Sequence, residues 1–194
     1  MKITNITIEG VGGIKNINLD FNSNMNLICG PNGIGKTTIL ESIAHIFSNG
    51  TTSILKRNVN SEYSKISASV ENNAEIIPVT LQFDTFVPEK MTPIHGLTNL
   101  TSGIISLKTT RTFQYQSLQS VNKDLSKEQH VLWQDAINGI NLVDIKNWFV
   151  NRYLYSAHED ALSPEQLNNF ELAKQCFSFL NPTFSFSKVD ASSN

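Results

Sequence analysis

The stretch that decides the fold is Gly30-Pro31-Asn32-Gly33-Ile34-Gly35-Lys36-Thr37-Thr38. It matches the phosphate-binding pattern G-x-x-x-x-G-K-[ST] at every position. The apolar run from Met25 to Cys29 precedes it and predicts a buried strand. The run from Thr38 to Phe47 follows it, with apolar residues on one broad helical face. Strand, glycine loop and helix are the order that this pattern requires, so the sequence predicts a nucleotide-binding site.

The residue types in this stretch suit a chain of phosphates. Glycine lacks a Cβ, so the backbone at Gly30, Gly33 and Gly35 can come close to phosphate oxygens. The loop leads into a helix N-terminus, where unpaired N–H groups and the helix dipole favour an anion. We expect Lys36 to lie between the β- and γ-phosphates and the Thr37 hydroxyl to bind Mg²⁺. All nine residues of the loop are predicted to contact the nucleotide: Gly30, Pro31, Asn32, Gly33, Ile34, Gly35, Lys36, Thr37 and Thr38.

The composition is that of a folded domain without a strongly basic surface. The 194 residues are 40% hydrophobic and 16% charged, with a formal net charge of −2. This balance gives no sign of a surface built for nucleic acid. The sequence has no signal-peptide core and no apolar run near the ~20 residues that span a bilayer. We therefore expect a cytoplasmic protein with no membrane segment, in which Cys29 is a small buried hydrophobe.

Two strands are predicted before the phosphate loop. The run from Ile3 to Ile8 and the run from Ile14 to Phe21 are typical of strands, and Gly10-Val11-Gly12-Gly13 separates them. The sequence therefore predicts an antiparallel β-hairpin ahead of the loop.

With that hairpin, the first quarter of the chain resembles the N-terminal segment of ABC-type ATPases of the RecF, SMC and OLD kind. The resemblance is carried by Ile14 to Phe21, by the Asn32-Gly33 pair inside the loop, and by Ile39-Leu40-Glu41-Ser42-Ile43 after it. Many of these relatives carry Asn-Phe-Arg or Asn-Phe-Lys in the first turn, where this chain has glycines with Lys15 as the nearest cation. The resemblance implies ATP and Mg²⁺ as cofactors.

In the resembled families, a later strand delivers a polar residue to the γ-phosphate and Mg²⁺. Gln114, Gln116 and Arg111 are candidates, and spacing does not choose among them; Gln114 is the second predicted metal residue, after Thr37. Hydrolysis in these families also needs an Asp-Glu pair after an apolar strand and a Leu-Ser-Gly-Gly-type signature that opens a helix. The segments 139–144 and 100–103 fit neither pattern, so no catalytic residue is assigned. We expect the chain to be the N-terminal part of a longer ATPase.

The middle of the chain predicts further strands. Residues 48–63 are polar and predict a solvated loop that contains the basic pair Lys56-Arg57. Strands are predicted at Lys65–Glu71, at Glu75–Phe83 and at Gly103–Thr110. Pro78 indicates that the second of these lies at an edge or bulge.

The last third of the chain predicts three helices. The first follows a possible capping box at Ser126 and ends near Gly139. The second covers Leu142 to Ala157. The third covers Pro164 to Leu180 after a capping box at Ser163. The predicted organisation is a nucleotide-binding lobe at residues 1–121, a helical subdomain at 122–182, and the start of a returning strand at 183–194.

The predicted fold class is thus α/β, a P-loop NTPase of the ABC-type N-terminal lobe with a hairpin and a helical subdomain. The resemblance implies an ATPase that works as a homodimer through its nucleotide sites, with a C-terminal half supplying the catalytic acid and signature. It implies a DNA-related or phage-defence activity with a nuclease or DNA as partner. Two alternatives stay open: a stand-alone small P-loop NTPase or kinase, and a non-hydrolysing nucleotide sensor.

Overall fold

A computed structural model describes residues 1–107, 118, 120–121, 127–139, 142–183 and 185–186. These residues form two compact units. The first lies within residues 1–108 and 127–140 and holds all the described strands, and the second lies within 109–126 and 141–194. In chain order the elements are β1 (Lys2–Val11), β2 (Ile14–Asp20), α1 (Lys36–His45), β3 (Asn49–Thr52), β4 (Ser64–Asn72), β5 (Glu75–Phe83), β6 (Thr92–His95), a 3-10 helix (Thr98–Gly103), α2 (Gln129–Asn138), α3 (Leu142–Ser156) and α4 (Pro164–Leu180).

The main sheet of the first unit is antiparallel, with the strand order β2-β1-β4-β5. The pair β1–β2 runs in register from Asn5 opposite Asp20 to Val11 opposite Ile14. Because side chains alternate between the faces of a strand, Ile6 and Ile8 both point to the core, where they are fully buried. The core is completed by helix α1 and the residues that follow it.

Strand β5 is an edge of this sheet, as Pro78 predicted. Pro78 lies in the middle of the strand, opposite Ser69 of β4. Proline has no backbone N–H, so a sheet accepts it where that group would face solvent.

The segment from Met25 to Cys29 does not form the buried strand that its apolar residues predict. It has no strand assignment, and Met25 and Leu27 are each 80% exposed. Within the described part of the chain, no backbone hydrogen bond ties residues 25–29 to another strand. Cys29 is likewise exposed, so its prediction as a buried hydrophobe is wrong.

Three further predictions for the first unit need correction. The polar stretch 48–63 contains strand β3, which pairs with β6 from Asn49 opposite His95 to Thr52 opposite Thr92. Gly103 ends a 3-10 helix, and residues 104–107 have no strand assignment; the remainder of the predicted strand to Thr110 lies outside the described residues. Helix α2 begins at Gln129 with Glu128 at its N-cap, and Ser126 lies outside the described residues.

In the second unit, helix α4 has the bounds that the sequence predicts. The Ser163 side chain accepts a hydrogen bond from the Gln166 backbone, and the Gln166 side chain accepts one from the Ser163 N–H. This reciprocal pair is the predicted capping box. Aromatic rings of α3 and α4 pack edge to face, with Trp148, Phe149 and Phe170 as the centre of the cluster.

Candidate functional site: the phosphate loop and the turn beside it

The loop between Met25–Cys29 and helix α1 takes a backbone shape that glycine allows. Gly33 has a φ of 82° and Gly35 a φ of 104°, in the left-handed region where a Cβ is disfavoured. A Cβ on Gly35 would also lie 2.9 Å from Cγ1 of Ile14, which is closer than packed carbon atoms come. Both glycines are therefore needed for the loop to turn into the helix.

Helix α1 begins directly at the end of this loop. Gly35 is its N-cap, and no side chain caps the first turn, which contains Lys36, Thr37 and Thr38. No acidic residue lies in that turn either. The first N–H groups of a helix have no partner within it, and the helix dipole adds positive potential there. The start of α1 can therefore receive an anion.

The Lys36 side chain folds back over the loop. Its Nζ donates hydrogen bonds to the carbonyl oxygens of Gly30 and Pro31, each at 2.8 Å. These bonds hold the ammonium against the backbone at the start of the loop. A lysine ammonium has three protons to donate, so a third can reach a phosphate oxygen.

Thr37 is exposed in the first turn of α1. One hydroxyl oxygen suits Mg²⁺, which keeps few protein ligands and completes its shell with phosphate oxygens and water. The residues that the structure describes include no group of three or more His, Cys, Asp or Glu placed to hold a metal. Gln114, Gln116 and Arg111 lie outside the described residues.

The turn between β1 and β2 lies against the phosphate loop. A Cβ on Gly12 would be 3.6 Å from Cγ2 of Thr38, so the turn is in close contact with the first turn of α1. Ile14, the first residue of β2, fills the space next to Gly35. The hairpin therefore forms one wall of the site.

A second segment holds this turn from its other side. The Gly12 N–H donates to the Lys56 carbonyl at 2.8 Å, and Asn58 Nδ2 donates to the Gly12 carbonyl at 2.7 Å. The Asn58 N–H donates to the carbonyl of Gly10 at 2.7 Å. The segment 56–58 thus fastens the turn at Gly12 and the end of β1 at Gly10.

The sequence predicts a solvated loop around the basic pair Lys56-Arg57, but both side chains make contacts with neighbouring segments. Arg57 Nε donates to the Asp84 carbonyl at 3.0 Å, and its guanidinium lies 5.3 Å from the centre of the Phe86 ring. Its Nη1 also donates to the Ser61 carbonyl. Lys56 Nζ donates to the carbonyl of Lys90. Both side chains hold neighbouring loops together.

Comparison with known proteins adds to this geometry. An AAA domain model matches residues 5–176. The chain belongs to this family. It is also 40% identical over 189 residues to the Septu protein PtuA of Bacillus thuringiensis, which covers 96% of the chain and 48% of PtuA. The chain therefore spans about half the length of that curated relative.

A shorter match joins the chain to RecF. The DNA replication and repair protein RecF of Psychromonas ingrahamii is 32% identical over 87 residues, or 42% of this chain and 24% of RecF. Together these matches place the chain among P-loop ATPase lobes of the RecF/SMC-like group, as the sequence motifs predicted. None of the described helices combines the length and apolar character needed to cross a membrane.

Sequence reasoning on this AAA-domain chain missed the residues that support the loop. Asn58 belongs to no motif, and Ile14, although it begins the resembled stretch Ile14 to Phe21, lies outside the G-x-x-x-x-G-K-[ST] pattern. The role of Asn58 depends on a carbonyl 46 residues away in the chain. A buried amide in a polar stretch gives no local signal, so spacing could not have found it.

Proposed function

We propose that this chain is the ATP-binding, N-terminal lobe of an ABC-type ATPase whose ATP-dependent dimerisation drives a DNA-related or phage-defence activity. The observation that carries the proposal is the position of Lys36. Its ammonium is bonded to the loop carbonyls of Gly30 and Pro31, beside an uncapped helix N-terminus. Donors and positive charge converge there as a triphosphate requires.

In this proposal the loop residues Gly30 to Thr38 surround the phosphates. Backbone N–H groups of the loop and of the first turn of α1 donate to phosphate oxygens. Lys36 donates to the β- and γ-phosphates, and the Thr37 hydroxyl binds Mg²⁺. Gln114 is kept as the candidate for the second metal contact.

The direction of the activity is proposed from the relatives. One is named a DNA replication and repair protein, and another is a Septu protein. Because the chain spans about half of PtuA, the catalytic acid, the signature motif and a nuclease or DNA partner are proposed to belong to the rest of a longer protein or its complex.

The Met25–Cys29 segment supports a second half. Met25 and Leu27 are exposed, and among the described residues no backbone hydrogen bond ties this stretch to another strand. A strand whose neighbours in a sheet come from another part of the protein shows this exposure when those neighbours are absent. We propose that the C-terminal half covers this segment.

Calorimetry with Mg-ATP on the purified chain and on Lys36→Ala tests the phosphate site. A hydrogen bond to a charged group is worth about 1.5–3 kcal/mol, so the variant is expected to bind about 10- to 100-fold more weakly. Lys65→Ala, on the strand β4, is the matched control and is expected to bind as the parent does. Undiminished binding by Lys36→Ala would refute the site.

Steady phosphate release separates the alternatives. We expect the chain alone to bind Mg-ATP and to turn it over negligibly, because its catalytic acid is proposed to lie elsewhere. A stand-alone NTPase or kinase would close arginines over the phosphates, whereas Arg57 is engaged by the Asp84 and Ser61 carbonyls. Phosphate release that Lys36→Ala abolishes would favour that alternative.

A further inference from the structure

One buried amide outside the phosphate loop holds the wall against which the loop packs. Asn58 is 7% exposed, and it makes its contacts with the turn between β1 and β2. Its Nδ2 donates to the Gly12 carbonyl at 2.7 Å, and its backbone N–H donates to the Gly10 carbonyl at 2.7 Å. Its Oδ1 accepts a hydrogen bond from the Asn60 N–H at 2.9 Å.

The far side of the same turn meets the nucleotide site. The Cα–H of Gly12 faces Thr38, since a Cβ built there would lie 3.6 Å from Cγ2 and 3.8 Å from Oγ1 of that residue. Gly12 has a φ of 54°, so the turn keeps this approach only in a left-handed conformation. Glycine reaches that conformation without strain but leaves it as easily.

A glycine turn is flexible, so it keeps one position beside the phosphate loop only if other residues hold it there. The Gly12 peptide unit has two such partners, the Lys56 carbonyl and the Asn58 amide. The Asn58 amide is the only one of the two that a side-chain substitution can remove. Without it, the Gly12 carbonyl loses the hydrogen bond that it accepts from Asn58, and the turn can move away from Thr38.

We propose that Asn58 is a positioning residue for nucleotide binding: it fixes the Gly12 turn, and the turn fixes Thr38 and the first turn of α1. This inference rests on the proposed ATP-binding function. It assigns a role in the site to a residue that has no contact with the loop itself.

The test compares two substitutions that differ in where they act. Asn58→Asp keeps an oxygen for the Asn60 N–H but places an oxygen instead of an N–H donor against the Gly12 carbonyl. Thr101→Val is the control, because the buried Thr101 hydroxyl also donates to a backbone carbonyl, that of Phe47, away from the turn. Asn58→Ala is a second variant in case the new carboxylate prevents folding.

The expected result is a loss of affinity that stability alone does not explain. Asn58→Asp should weaken Mg-ATP binding about 3- to 10-fold in calorimetry, whereas Thr101→Val should change it less than about 2-fold. Denaturant midpoints of both variants, measured without nucleotide, show whether they are destabilised alike. Equal affinity losses in both variants, or parent-like binding by Asn58→Asp and Asn58→Ala, would overturn the proposal.

A measurement without nucleotide separates this inference from the proposed function. In NMR spectra of the free chain, Asn58→Asp should shift the amide signals of Gly12 and Thr38, and Thr101→Val should leave them in place. If the parent and Lys36→Ala bind Mg-ATP equally, the ATP-binding proposal fails, yet these signals still decide whether Asn58 controls Thr38. Unshifted Thr38 signals in Asn58→Asp would overturn the inference by themselves.

Discussion

The antiparallel sheet and the segment that leads into the phosphate loop are neighbours in the chain, but the sheet has a buried core face whereas most of the segment is exposed. Ile6 and Ile8 of β1 are fully buried, whereas Met25 and Leu27 are each 80% exposed. Strand β1 has β2 on one side and β4 on the other, and both belong to the first 72 residues. The Met25–Cys29 segment has no such partner in the described part of the chain.

Residues of this chain bury Ile6 and Ile8 of the sheet, whereas the segment exposes Met25 and Leu27 to solvent. The strands of the sheet pair with one another and bury a shared core, so the stability of the sheet comes from contacts within this chain. The segment before the loop has the residue types of a strand, but no strand in the described part of the chain pairs with it. Substitutions in the two regions should therefore differ in kind, and three predictions test this from the largest effect to the smallest.

The largest effect is expected at Phe47, whose fully buried ring fills the core under the sheet. Phe47→Ala removes that ring and leaves a cavity, which typically costs about 3–5 kcal/mol of unfolding free energy. Urea denaturation followed by circular dichroism measures it. Ile76→Ala on β5, where the side chain is 65% exposed, is the control and should cost far less. Similar costs for both would show that the sheet does not have a packed core.

An intermediate effect is expected at His45, where α1 ends. The ring is fully buried: Nδ1 lies 2.6 Å from the Glu41 carbonyl, to which it must donate, and Nε2 lies 2.9 Å from Oγ1 of Thr52 in β3. His45→Ala leaves the Glu41 carbonyl and the Thr52 hydroxyl without the hydrogen bonds of the ring, which should lower the unfolding free energy by about 1–3 kcal/mol.

The control for this prediction is His95→Ala, which removes an exposed ring bonded to Asn49 and should change stability by less than about 0.5 kcal/mol. The same denaturation experiment measures both. If the two histidines have equal effects, the link between α1 and β3 does not contribute to the stability of the sheet region.

The smallest effect on stability is expected at Leu27. Leu27→Ser should change the unfolding free energy by less than about 0.5 kcal/mol, because the side chain is already in water. It should also reduce self-association of the isolated chain, measured by light scattering as the concentration rises, because it removes exposed apolar surface. A loss of stability comparable to that of Phe47→Ala would mean that the segment is packed, and the contrast between the two regions would be lost.

The sequence predicted most where the signal is local. Helix α4 has the predicted bounds because Ser163, Pro164 and Gln166 define its start, and the strands at 64–72 and 75–83 follow the alternation of their side chains. The glycine pattern located the phosphate loop for the same reason.

The rest depended on partners far away in the chain. Strand β3 is short, polar and contains Gly50, so it exists only through its pairing with β6 more than forty residues later. The buried Asn58 side chain likewise bonds to a carbonyl 46 residues away, that of Gly12. The strand predicted at Met25–Cys29 was wrong because its apolar pattern says nothing about whether a neighbouring strand is present.

Pro78 removes one backbone N–H donor from the β5 edge of this sheet. A strand that approached β5 from outside would meet no N–H donor at the middle of that edge, so strand addition there would lose a hydrogen bond that no side-chain change elsewhere restores. Met25–Cys29 carries no proline and keeps every donor and acceptor of its backbone. Addition of a further strand is therefore less favourable at β5 than beside the phosphate loop.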